Sequence, residues 1–82
     1  MYSYTISKSA NAEVFRETCN LIEQHYPQIK KDPLLEDVDG SLVQIYRIEE
    51  GQIRVESDFQ VDAVYADSDR KLAFLERFLV KN

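Results

Sequence analysis

From Ile53 to Tyr65 the chain alternates between apolar and polar side chains almost without interruption. Ile53, Val55, Phe59, Val61, Ala63 and Tyr65 stand with Ser57 at odd positions, and Arg54, Glu56, Asp58, Gln60 and Asp62 at even ones. A period of two sends successive side chains to opposite faces. The pattern therefore predicts one strand with a face on a core and a face in water. Tyr2, Tyr4 and Ile6 alternate in the same way with Ser3, Thr5 and Ser7, which predicts a short first strand. Leu42 to Ile48 predicts another, and Leu34 to Val38 a shorter one, with the turn dipeptide Asp39-Gly40 between them.

Helical spacing occupies the intervals. Phe15, Thr18, Cys19, Ile22 and Tyr26 fall on one stripe, Ser9 or Asn11 is suited to cap it, and Pro27 ends it. Asp67-Ser-Asp69 is suited to open a second helix, because carboxylates are favoured at the positive end of the helix dipole. Its apolar stripe is Leu72, Leu75, Phe78 and Leu79, with Phe74 beside it. The predicted fold is α+β, in the order β-α-β-β-β-α, with an antiparallel sheet and two helices packed on one face. It forms a single domain over residues 1–82.

A hairpin turn at Glu50-Gly51 pairs Glu49 with Gln52. It then sets Ile48 against Ile53, Tyr46 against Val55, Gln44 against Ser57 and Leu42 against Phe59. In that register Val43 and Ile45 share the other face with Glu56 and Asp58, an apolar pair among carboxylates.

Charge changes the picture from a merely soluble domain to one with a preferred partner. The formal net charge is −5, and between Glu49 and Asp69 seven acids stand against the single base Arg54. Such a surface repels phosphate backbones, so nucleic acid is excluded as the expected partner and a protein with a basic surface is favoured. The helix, three strands and helix resemble in order a double-stranded-RNA-binding domain. Where such domains carry bases at the start of the last helix, this chain has Asp67-Ser-Asp-Arg-Lys71, so RNA binding is not implied. The single cysteine, Cys19, suits a reducing cytoplasm. The first eight residues lack a secretory pattern, and no apolar run is long enough to span a membrane.

Motifs with chemistry of their own are few. Aligning Gly40 with the glycine of a calcium-binding EF-hand loop puts Leu35 and Tyr46 at ligand positions, which defeats the match. Asp67 and Asp69 are explained by capping, His25 by a helix C-terminus, and Cys19 by its place on the buried stripe. No metal site, cofactor or catalytic residue is expected.

The resulting expectation is a non-enzymatic cytoplasmic module of the inhibitor, immunity, antitoxin or adaptor kind. It would bind protein through Glu56, Asp58 and Asp62, with Val43, Ile45 and Tyr46 as apolar anchors. Two alternatives remain. One is a small-ligand-binding or catalytic homodimer with its pocket at the subunit interface. The other is a structural subunit that self-associates.

Overall fold

The computed structural model describes residues 1–78 and shows an α+β fold with a six-stranded antiparallel sheet and one α-helix. The strands are β1 (Tyr2–Ser7), β2 (Lys30–Lys31), β3 (Leu35–Glu36), β4 (Leu42–Ile48), β5 (Gly51–Asp58) and β6 (Ala63–Ser68); the helix α1 spans Ala12–His25. Across the sheet the order is β1-β6-β5-β4-β2, and β3 also lies against β4. The helix connects β1 at one edge of the sheet to β2 at the other and packs against β1, β4 and β5.

Helix α1 forms as its sequence dictates. Asn11, rather than Ser9, is the cap: its Oδ1 accepts from the amides of Glu13 (2.9 Å) and Val14 (3.1 Å). Phe15, Thr18, Cys19 and Ile22 are buried on the expected stripe, and Tyr26 ends the helix before Pro27. Phe15, Cys19 and Ile22 meet Tyr4, Tyr46, Ile53, Val55, Val64 and Ala66 from the sheet in one core, with Tyr26 packed against it.

The β4–β5 hairpin corrects the expected register by two residues. The turn is Glu49-Glu50, so Ile48 faces Gly51, Tyr46 faces Ile53, Gln44 faces Val55 and Leu42 faces Ser57. Gly51 is held in the strand at φ +144°, where any side chain would collide with the Asp69 carboxylate that accepts from the Gln52 amide at 3.0 Å. A two-residue slip changes partners but keeps every side chain on its face.

A larger correction concerns the alternating segment. It is two strands, with residues 59–62 turning between β5 and β6. Asp58 Oδ1 accepts from the amides of Gln60 (2.8 Å) and Val61 (3.3 Å), and Asp62 adopts φ +54°. An aspartate folding back on its own following amides makes a turn without glycine or proline. The turn reverses the parity of the pattern. The core side is Ile53, Val55 and Ser57 in β5 but Val64, Ala66 and Ser68 in β6. Phe59 and Val61, expected in the core, are exposed.

The second helix is not formed as expected either. Asp67 and Ser68 belong to β6, and a 3₁₀ helix spans Ala73–Phe78. Leu72 and Leu75 are nevertheless fully buried, and the Leu72 amide donates to Tyr4 Oη at 2.8 Å. Of the expected stripe, Leu79 lies outside the described residues, as does the side chain of Phe78. Among the described residues no helix is long and apolar enough to cross a membrane.

Candidate functional site

The face of the sheet turned away from α1 carries four of the six residues expected to bind a partner. Val43 on β4 pairs with Glu56 on β5, which pairs with Tyr65 on β6; Ile45 pairs with Arg54, and Arg54 with Asp67. Asp58 continues β5 on the same face, opposite Ala63. Ser3 Oγ donates to Asp67 Oδ1 at 2.7 Å, tying β1 to this surface.

Glu56, at the centre of the middle strand, is only 8% exposed although no helix among the described residues covers it. Its neighbours close over it. Val43 and Tyr65 flank it, and Arg54 Nη2 lies 2.8 Å from Oε1, an ion pair that provides Oε1 with no aligned hydrogen bond. Burial, followed by a hydrogen bond to the Glu56 carboxylate, pushes the Tyr65 phenol up to about 12, so Tyr65 is a neutral donor at physiological pH. The face is therefore half closed: a buried carboxylate with its cation, between half-buried Val43, Ile45 and Tyr65.

The other two expected residues are elsewhere. Tyr46 is fully buried on the helix side, where its hydroxyl donates to Glu23 Oε2 at 2.6 Å. As the even neighbour of Ile45, it had to take the opposite face. Asp62 sits in the β5–β6 turn, and its Oδ1 accepts from the Ala10 amide at 2.9 Å.

At the end of the sheet formed by the β3–β4 and β5–β6 turns, the structure assembles a surface that sequence reasoning missed. Gly40, at φ +90°, lets the Phe59 ring lie over the β3–β4 turn: a first side-chain carbon there would press on the ring at 3.2 Å. Ser41 Oγ accepts from the Phe59 amide at 3.0 Å and ties the two turns together. Val38 is fully exposed, Phe59 is 50% and Val61 63% exposed, and Leu35 on the neighbouring β3 is 57% exposed. Among them stand Glu36, Asp37, Asp39, Asp58 and Asp62, and residues 36–41 and 58–62 contain no lysine or arginine. Asp37, Asp39 and Asp58 each direct Oδ1 at a nearby amide. The signal that could have revealed this end was Asp58 followed by Asp62, two aspartates bracketing a stretch of turn length.

At the opposite end lies a cavity of about 830 Å³, bounded by His25, Tyr26, Ile29, Ile48, Glu50 and Arg70 among others. Arg70 Nε bridges Glu50 Oε2 at 2.8 Å, and its guanidinium lies over the Tyr26 ring at 5.6 Å. His25 stacks on Phe74 with ring centroids 3.9 Å apart and faces the Leu21 carbonyl through Nδ1, an arrangement that packs the ring. The cavity lining contains no serine, threonine or cysteine for His25 to activate. Cys19 is buried elsewhere, and burial raises its thiol to about 11, which keeps it protonated. Among the described residues no group of three or more His, Cys, Asp or Glu side chains is placed to hold a metal ion.

Comparison with known proteins returns no matching family model, no matching curated protein and no matching solved structure.

Proposed function

We propose that the chain is a non-enzymatic, cytoplasmic protein-binding module of the inhibitor or adaptor kind. It docks a basic protein surface onto the helix-free face of its sheet and the adjoining turns. The observation that carries this reading is the continuity of exposed Leu35, Val38, Phe59 and Val61 with five carboxylates at one end of the sheet. Apolar side chains held out among like charges, in turns that are braced internally, form the anchors of an interface. The acids around them steer a basic partner and speed its approach. Val43 and Ile45 extend the apolar strip from Leu35 across the helix-free face.

Affinity capture from lysate at low and high salt tests the proposal with three baits: wild type, Val38→Ser/Phe59→Ser, and Asp58→Lys/Asp62→Lys. Loss of the same proteins from both variants, with salt-sensitive capture by wild type, supports it. Equal capture by all three baits refutes it.

The cavity beside Tyr26 and Ile48 favours small-ligand binding as a second reading, within one copy of the chain rather than at a subunit interface. An NMR fragment titration that shifts the Tyr26 and Ile48 signals while leaving Val38 and Phe59 unmoved would favour it.

A further inference from the structure

The two edges of the sheet are built in opposite ways. On one edge β2 and β3 are two residues each, and Asp32-Pro33-Leu34 separates them. The register along β4 steps by one residue across that gap, and Lys30, Lys31 and Glu36 place charge on the edge. Short strands, proline and lysine are the usual devices that stop another strand from adding there.

The other edge, β1, has none of them. Its sequence is Tyr-Ser-Tyr-Thr-Ile-Ser, six residues without charge, proline or glycine, and among the described residues β1 pairs with β6 alone. Alternate backbone N–H and C=O groups of such a strand point away from the sheet and form a ready template for one more strand. The only interruption is at Ile6, where the register against β6 skips between Thr5 and Ser7, so the straight part of the edge runs from Tyr2 to Thr5.

We propose that this edge pairs with β1 of a second copy of the chain. The two strands run antiparallel about a two-fold axis through Tyr4, and two six-stranded sheets join into one. The choice of a second copy rests on self-complementarity. With Tyr4 opposite Tyr4 of the other copy, Ser3 meets Thr5 within the straight part of the edge. Ser3 and Thr5 face away from the helix, whereas Tyr4 lies in the core on the helix side. Hydroxyl thus meets hydroxyl on one face, and aromatic meets aromatic on the other, the pairings that stabilise antiparallel ladders. Charge agrees. Each copy carries −5 overall, yet the strands that would meet carry none, so the acids do not oppose the contact. Every existing strand pair is antiparallel, and the two-fold continues that pattern. Met1 and Tyr2, exposed in one copy, would be covered in the pair.

Sedimentation velocity on the full chain from micromolar to millimolar concentration tests the proposal. Wild type is expected to pass from monomer to dimer, with the β1 amides gaining protection from hydrogen exchange as it does. Thr5 is exposed, so Thr5→Lys leaves the fold intact by circular dichroism and places an ammonium on each side of the seam; dimerisation weakens by at least about tenfold. Thr5→Ser keeps the hydroxyl and the dimer. A wild-type chain that stays monomeric at millimolar concentration overturns the proposal. So does a Thr5→Lys chain that dimerises as well as wild type, or a dimer dissolved by Phe59→Ser instead.

Discussion

The two faces of β5 are built from neighbouring residues of one strand, yet they follow different rules. On the helix side Ile53, Val55 and Ser57 are sealed against α1 and the β4 and β6 side chains. On the other side Arg54, Glu56 and Asp58 are covered only by their own cross-strand neighbours, to the point that Glu56 is nearly as buried as the core. One face is closed by packing that specifies the fold. The other is closed by an ion pair, a phenol and two aliphatic side chains that no second layer among the described residues holds down. Stability should reside on the first and recognition on the second. Paired substitutions across the strand test that division.

The largest effect is expected at Ile53. Truncation to alanine opens a cavity beneath the helix and should cost about 2–5 kcal/mol, against a total of about 5–15 kcal/mol for a domain of this size. Ile45, on the other face and half-buried, should cost about 1 kcal/mol or less on the same change. Urea denaturation of the two variants side by side measures the contrast; equal losses would mean that the helix-free face is a second core.

That contrast also explains which parts of the fold could be read from the sequence. Face assignment in β4 and β5 survived a wrong turn position because the slip was two residues, and two residues restore the period of a strand. The β5–β6 turn was hidden because Asp58 and Asp62 continue the polar half of an alternating pattern while folding the chain back. Periodicity cannot register a turn whose own residues continue the polar–apolar alternation, even though the turn switches which parity faces the core. The last helix was misplaced for a related reason. Asp67 and Asp69 carry a capping signature, but Asp67 bonds Ser3 and Asp69 bonds the Gln52 amide, contacts with β1 and β5 that local sequence does not encode. At the candidate site the carboxylates and the pair Val43–Ile45 were legible as charge and parity. Leu35, Val38 and Phe59 were not, since their exposure follows from which turns the sheet brings side by side.

A smaller loss is expected from Tyr46→Phe, on the helix side. The buried hydroxyl donates to Glu23 Oε2, which also pairs with Lys31 at 3.5 Å, so its removal should cost about 1.5 kcal/mol. Burial first, and then the hydrogen bond to Glu23, raises the phenol far above its ordinary value. A group whose pKa is raised on folding stabilises fully below its unfolded value. The contribution of Tyr46 is therefore complete below about pH 10 and declines as pH climbs above it. Stability measured from pH 8 to 11 should fall more steeply in wild type than in Tyr46→Phe. Parallel slopes would show that the hydroxyl is not sealed.

Asp58→Ala, at the end of the helix-free face, should cost about 1 kcal/mol, because two turn amides lose their acceptor. Asp58→Asn keeps an acceptor oxygen and should recover most of that loss while removing the charge. The pair of variants separates the structural role of Asp58 from its role toward a partner. If Asp58→Asn folds as stably as wild type but loses a salt-sensitive partner, the charge serves recognition. If the partner is retained by Asn and lost by Ala, the shape of the turn is what the partner reads.

The smallest effect belongs to Asp39, in the other turn of the same end. Hydrogen bonds from the Ser41 backbone amide first, and from its hydroxyl second, hold the carboxyl below its ordinary pKa. A pKa depressed on folding means stability that is present above the unfolded value and lost as pH falls through the folded one. The loss therefore falls below about pH 4 and adds to the acid limb of the stability curve. Asp39→Asn keeps an acceptor for the Ser41 amide but cannot titrate. Its acid limb should be slightly shallower than that of wild type between pH 4 and 2, the two chains converging in acid and the variant slightly less stable at neutral pH, as read by thermal melts across that range. If the limb is unaltered, the Ser41 bonds hold the protonated and ionised forms of Asp39 equally, and the charge at this turn is free for an incoming basic surface instead of being committed to the fold.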